Sequence, residues 1–158
     1  MKDVLGYQGK NVVITGAASG MGQAAAQLLV DAGATVYALD IAAVSVPVAQ
    51  AIEVDMKSGA SIDAAVAQLP ADIYALFNCA GVPSPPFGME DTVLINFAGL
   101  RYLTETVLPR MSDGGGIASI ASTAGMGWKP NLETVREFLA LDNTVEAARG
   151  WLAENPAR

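Results

Sequence analysis

The sequence predicts an α/β fold in which a parallel sheet is covered by helices on both faces. Three observations carry this reading. Short apolar, β-branched runs alternate with segments of helical spacing along the chain. The first such run passes through a glycine-rich turn directly into the first helix. Of the 158 residues, 52% are hydrophobic, which supplies one sizeable core but is too short a chain for two full α/β domains.

Asn11-Val-Val-Ile-Thr15 is the first predicted strand. Gly20 to Ala32 follows as a helix, with Met21, Ala24, Ala25, Leu28 and Leu29 at helical spacing. Gly33 ends it in the left-handed conformation that commonly closes a helix. Thr35 to Leu39 is the second strand, closed by Asp40. Ile41 to Gln50 carries Pro47 and is too short for a crossover helix. Ala51 to Val54 is the third strand, ending at Asp55, and Ser61 to Leu69 is a short helix stopped by Pro70. Ile73 to Phe77 reads as a wholly buried fourth strand running into Asn78-Cys-Ala-Gly81.

Residues 82–89 hold three prolines and a glycine and are a loop. Glu90 to Met111 is a long helix. Gly114 to Gly116 reads as a flexible joint before a fifth strand, Ile117 to Ala121, which leads into Ser122-Thr-Ala-Gly125. Asn131 to Glu154 forms two short amphipathic helices, marked by Leu132, Val135, Phe138 and Leu139, then by Val145, Ala148, Trp151 and Leu152. Asn143 and Glu146 have the spacing of a capping box for the second. No repeat, low-complexity segment or charge block divides the chain, so residues 1–158 read as a single domain.

Charge and composition narrow the function. Sixteen acids against nine bases give a net charge of −7, which argues against nucleic acid and anionic membrane surfaces. An anionic cofactor remains possible where backbone N–H groups hold it. Histidine is absent, which excludes Ser-His-Asp, Cys-His and His-based metal sites, and no metal site is expected. The single cysteine, Cys79, rules out an intrachain disulfide and suits a reducing compartment. The start, MKDVLGYQGK, has no apolar targeting core. The uncharged run Asn11 to Val30 is long enough to span a bilayer, yet its glycines, Ser19, Gln23 and Gln27 make it a strand, turn and helix. A soluble cytoplasmic protein is expected.

The strongest motif is Thr15-Gly16-Ala-Ala-Ser19-Gly20-Met21-Gly22, between the first strand and the first helix. Gly16 permits a sharp turn, Gly20 clears the approach of a pyrophosphate, and Gly22 lets helix pack closely on strand. The helix N-terminus then offers free N–H groups and partial positive charge. The spacing G-x-x-x-G-x-G is neither G-x-G-x-x-G nor a P-loop. Asp40, eighteen residues beyond Gly22, is placed to accept both ribose hydroxyls and to repel a 2′-phosphate. No lysine or arginine lies near the motif in sequence, so NAD is favoured over NADP. The plainer alternatives are a ligand-free glycine turn and an aspartate that caps it.

These residues, with Asp55, Asn78-Cys-Ala-Gly81, Asn96 within Leu94-Ile-Asn-Phe, and Ser122 within Ile120-Ala-Ser-Thr-Ala-Gly125, resemble the short-chain dehydrogenase/reductase family in order and spacing. The resemblance implies a Rossmann-type, doubly wound parallel sheet with strand order 3-2-1-4-5 and a crevice between strands one and four. It implies an NAD site formed by Gly16, Ser19, Gly20, Met21, Gly22, Asp40, Ile41, Asp55, Met56, Asn78, Ala80 and Gly81. Asp55 and Met56 would lie at the adenine, and Asn78, Ala80 and Gly81 beside the ribose and nicotinamide half. Cys79 stands where many members have a second Asn. Ser122 would bond the substrate oxygen and Asn96 would support a proton-relay water, as catalytic residues. The implied substrate is a small alcohol or its carbonyl partner. A homo-oligomer is expected of the full-length protein.

Alcohol oxidation needs a base for the hydroxyl proton. The family writes this as Tyr-x-x-x-Lys, and the pair is absent here: four residues beyond Tyr7, Tyr37, Tyr74 and Tyr102 stand Asn11, Ile41, Asn78 and Thr106. Family domains continue with a Tyr/Lys helix and further strands, so the chain is expected to be the N-terminal part of such a domain. A subgroup resembling bacterial 3α-hydroxysteroid and coniferyl-alcohol dehydrogenases has a short link after the second strand and a helical insertion before the tyrosine. Ile41 to Gln50 and residues 131–155 match those two features. A fifth strand left as an open edge predicts poor stability for the isolated 158 residues. The competing reading is a protein that binds nucleotide without turnover.

Overall fold

The computed structural model describes residues 5–156. Residues 1–4, part of the start in which no targeting core was found, and residues 157–158 lie outside the described residues. Five strands form one parallel sheet in the order β3-β2-β1-β4-β5: β1 (Asn11–Thr15), β2 (Thr35–Asp40), β3 (Gln50–Glu53), β4 (Ile73–Asn78) and β5 (Met111–Ser119). The fold is the Rossmann-like arrangement that the sequence predicts.

Alternation along β1 builds both faces of the core. Val12 and Ile14 pack with Ala26 and Leu29 of α1 (Gly20–Asp31) on one side. Val13 packs on the other side with Ile62, Ala65 and Val66 of α2 (Gly59–Ala67) and with the long helical run that follows β4. That run comprises α3 (Met89–Val93), a π-helical segment (Leu94–Gly99), α4 (Leu100–Val107) and a 3-10 turn (Leu108–Arg110). After β5 come 3-10 turns (Thr123–Asn131), α5 (Leu132–Leu139) and α6 (Val145–Glu154). Buried Val145, Ala148 and Leu152 join α6 to the second face of the core.

Several details depart from the sequence reading, and the first is that Met111 opens β5 rather than closing the long helix. Gly114 to Gly116 belong to β5 rather than to a joint before it, because Gly116 pairs with Ala75 and the glycines absorb a register shift between Ile73 and Ala75. The strand then ends at Ser119, before Ile120 and Ala121. β4 is not wholly buried: Tyr74 and Phe77 are half-buried, and the ring of Tyr7 covers them at 6.1 and 6.2 Å. α2 begins two residues early because the Ser58 side chain accepts a bond from the Ser61 amide at 3.2 Å. The cap of α6 is Thr144, whose hydroxyl accepts from the Ala147 amide at 3.1 Å, and not Asn143. Ile41 to Ala49 contains no helix, and Gly33 adopts φ +83° as expected.

Candidate functional site

The connections from β1 and β4 leave toward opposite faces of the sheet, and a crevice of ≈ 420 Å³ opens at the carboxyl ends of these strands. Its floor is tight. Gly16 turns at φ +69°, and a Cβ there would lie 2.7 Å from the Ala80 nitrogen. A Cβ on Gly22 would lie 2.0 Å from the Gly16 carbonyl oxygen. Side chains at these two positions would therefore fill the space that lets α1 start directly beside the strand ends. Buried Thr15 ties the two strands together, its hydroxyl oxygen accepting from the amides of Cys79 at 3.1 Å and Ala80 at 3.0 Å.

Ser19 caps α1 in extended geometry without spending its hydroxyl on a helix amide. The first intrahelical bond runs from Gln23 N to Ser19 O at 3.1 Å. The amides of Gly20, Met21 and Gly22 come before it, without helical acceptors, at the crevice. A helix terminus of this kind, with the positive end of the helix dipole behind it, suits an anion.

Asp40 faces that turn from the end of β2. One carboxylate oxygen accepts from Ala18 N at 2.8 Å and the other from Ala42 N at 2.9 Å. The capping role is thus present, and each oxygen keeps further acceptor capacity. Asp55 accepts from Lys57 N at 2.8 Å, while its own amide donates to Ser61 Oγ at 2.9 Å. Gly16, Ser19, Gly20, Met21, Gly22, Asp40, Ile41, Asp55, Met56, Ala80 and Gly81 all line this one crevice.

Asn78 does not line it. Its side chain is buried beneath the edge, donating to Thr104 Oγ1 at 3.1 Å and Ser119 Oγ at 3.2 Å, with its own Oδ1 unpartnered. Asn96 sits in the π-helical segment and clamps the backbone of Val82, accepting from Val82 N at 2.8 Å and donating to Val82 O at 2.9 Å. Ser122 lies three residues past the end of β5, exposed, accepting from Ala124 N at 3.2 Å and so free to donate its own proton. It is not part of the crevice wall.

Sequence reasoning missed Leu39, Val54, Lys57, Val82, Phe87 and Ile95, which also line the crevice. Lys57 corrects the expectation that no cation stands near the motif: the chain brings one there from another segment, and its ammonium is paired with Asp91 at 3.0 Å. Its position directly after Asp55-Met56 was the available signal. Cys79 also lines the crevice, half-buried, and burial pushes its thiol pKa up. Among the described residues no cluster of metal-ligating side chains occurs, and no helix is long and apolar enough to cross a membrane. The donors, the glycine cradle and the carboxylate opposite fit a dinucleotide.

The sequence model of the short chain dehydrogenase family matches residues 10–133. The chain is 37% identical over 150 residues to a coniferyl-alcohol dehydrogenase of Pseudomonas sp. (strain HR199 / DSM 7063), covering 93% of this chain and 57% of that protein. Its fold is similar to the aldohexose dehydrogenase of Thermoplasma acidophilum, with a TM-score of 0.66, 26% identity and coverage of 73% and 50% of the two chains. It is also similar to a Pseudomonas aeruginosa RhlG/NADP active-site complex, with a TM-score of 0.64, 28% identity and coverage of 77% and 56%. The chain thus spans 50–57% of the length of these relatives. The family match takes in the glycine turn, both crevice-forming strands and the segment that carries Asn96 and Ser122, and on it this chain belongs to the short-chain dehydrogenase family.

Proposed function

We propose that this chain is the coenzyme-binding and substrate-orienting part of an NAD-dependent alcohol dehydrogenase or carbonyl reductase. The observation that carries the reading is the cradle at the start of α1, where three amides without helical acceptors face the crevice and Asp40 stands across from them. A bound nicotinamide dinucleotide supplies the hydride acceptor or donor. Gly20, Met21, Gly22 and Ser19 hold its phosphates through N–H groups and a hydroxyl. Asp40 accepts from the adenosine ribose hydroxyls and disfavours a 2′-phosphate by like charge, while Ile41, Asp55 and Met56 wall the adenine. Ala80 and Gly81 shape the inner wall, and Asn78 holds their strand end from below.

Ser122 keeps its hydroxyl proton free for the oxygen of a substrate alcohol or carbonyl. Asn96 secures Val82, and its Oδ1 retains a lone pair for a proton-relay water. An arylic alcohol is the preferred substrate class, on the 37% identity to a coniferyl-alcohol dehydrogenase, with a steroid-like alcohol as the other candidate. Net charge −7 favours a small-molecule partner over nucleic acid or anionic membrane, and the lone thiol suits the cytoplasm. The complete protein is expected to be a homo-oligomer.

A second reading, binding without turnover, is favoured by one observation: no Tyr-x-x-x-Lys pair occurs in the 158 residues. One experiment addresses both. NADH is titrated by fluorescence, and coniferyl alcohol oxidation is assayed for this chain and for a chimera that appends the portion of the Pseudomonas relative lying beyond the matched region. Binding by both with turnover only by the chimera supports the dehydrogenase reading. Binding by both with turnover by neither supports the second. No binding of NADH by folded protein at millimolar concentration defeats both.

A further inference from the structure

The adenine-side wall of the crevice is held by a helix that lies far away in sequence. Arg149 of α6 donates from Nη2 to the Lys57 carbonyl oxygen at 2.9 Å and from Nη1 to Glu90 of α3 at 2.7 Å. Lys57 in turn bonds Asp55 through its amide and Asp91 through its ammonium. Met56 between them is gripped by Gly99, where a Cβ would stand 2.0 Å from the Met56 carbonyl oxygen. The turn Asp55–Lys57 therefore has little freedom of its own, and the guanidinium adds a contact to it from a distant helix. The planar two-pronged donor suits this task, because one residue reaches a carbonyl and a carboxylate at once.

We propose that Arg149 is a positioning residue for the coenzyme, fixing Asp55–Lys57 so that α6 sets affinity for the adenosine half. The proposal rests on the dinucleotide reading above. Arg149 touches no crevice surface itself and acts through Lys57. Its ion pair with Glu90 is half-exposed, so the effect is modest and screened by salt.

The test is calorimetric titration of the chain and of Arg149→Ala and Arg149→Lys with NADH, AMP and nicotinamide mononucleotide. Arg149→Ala is expected to weaken NADH and AMP by a common factor of about three to ten, the weight of one half-exposed charged contact. Nicotinamide mononucleotide binding stays unchanged, and Arg149→Lys, which keeps the charge and one contact, recovers part of the loss. Unchanged NADH and AMP affinities overturn the proposal, as does an equal loss for all three probes. If the unaltered chain binds none of them, the dinucleotide reading fails instead. The pin is then judged by hydrogen exchange of residues 55–59, which Arg149→Ala must accelerate; unchanged exchange overturns it.

Discussion

Replacing Gly22 by alanine tests the cradle at its tightest point. The added Cβ would lie 2.0 Å from the Gly16 carbonyl oxygen, 2.7 Å from the Gly16 carbonyl carbon and 3.2 Å from Cys79 Cβ. Two of these neighbours are backbone, so no side chain can swing aside. A close C···O contact needs roughly 3.3 Å, so the start of α1 must retreat from the turn by roughly 1.3 Å. Overpacking of this kind costs about 1–3 kcal/mol, against up to about 1 kcal/mol recovered from the better helix propensity of alanine. The expected net loss of about 1–2 kcal/mol lowers the melting temperature by roughly 2–8 °C for a chain of this size. Binding suffers more. Each amide-to-phosphate bond is worth about 1.5–3 kcal/mol, so misaligning one or two weakens NADH by about tenfold to a hundredfold or more. Circular dichroism melting and NADH fluorescence titration read both effects. Gly150→Ala is the control, since no atom lies within 4 Å of a Cβ there and the position is inside α6; it should stabilise by up to about 1 kcal/mol. A Gly22→Ala protein that melts with the unaltered chain and binds NADH within twofold would refute the reasoning.

Thr15→Val removes the acceptor of two amides at a buried position, costing about 1–3 kcal/mol for each amide left unpaired and lowering the melting temperature without changing the fold by circular dichroism. Asp40→Ala should weaken NADH and narrow the preference over NADPH by about tenfold, the loss of one charge-assisted contact, as measured by paired titrations. Cys79 has a raised pKa because burial disfavours its thiolate, so it stays protonated at neutral pH. Its alkylation by iodoacetamide should be slower than that of a free thiol at pH 7–8 and should climb only above the ordinary thiol range. The same shift makes a stabilising contribution that is present below that range and lost as pH rises through it. Bound NADH should slow the alkylation further, since the thiol lines the crevice.

Much of the fold and half of the site were legible because their signals are local. The strand–glycine turn–helix unit from Asn11 to Asp31 and Asp40 at the next strand end are each written in a few consecutive residues. Signals that depend on a partner strand were not legible. Gly114-Gly-Gly116 reads as a joint until Ala75 pairs with Gly116, and Thr144 outcompetes Asn143 as a cap only once the helix start is placed. Lys57, Val82 and Ile95 reach the crevice through connections whose path no periodicity encodes. Asn78 shows the converse: its turn-like setting suggests a ligand contact, whereas Thr104 and Ser119 draw the side chain under the sheet edge.

The π-helical segment Leu94–Gly99 changes the angular phase of everything after it. At about 100° per residue, Leu103 would sit roughly opposite Leu94 in an uninterrupted α-helix, and Arg101 would point where Leu94 points. The surplus residue swings Leu103 and Val107 back toward the interior and leaves the Arg101–Glu105 pair at the surface, where Arg101 also donates to the Leu139 carbonyl oxygen. Loss of one codon between 94 and 99 would thus remove the surplus and keep Leu103 and Val107 in phase, whereas drawing the segment into regular α-helix at its present length would turn two charged side chains inward along the next helix.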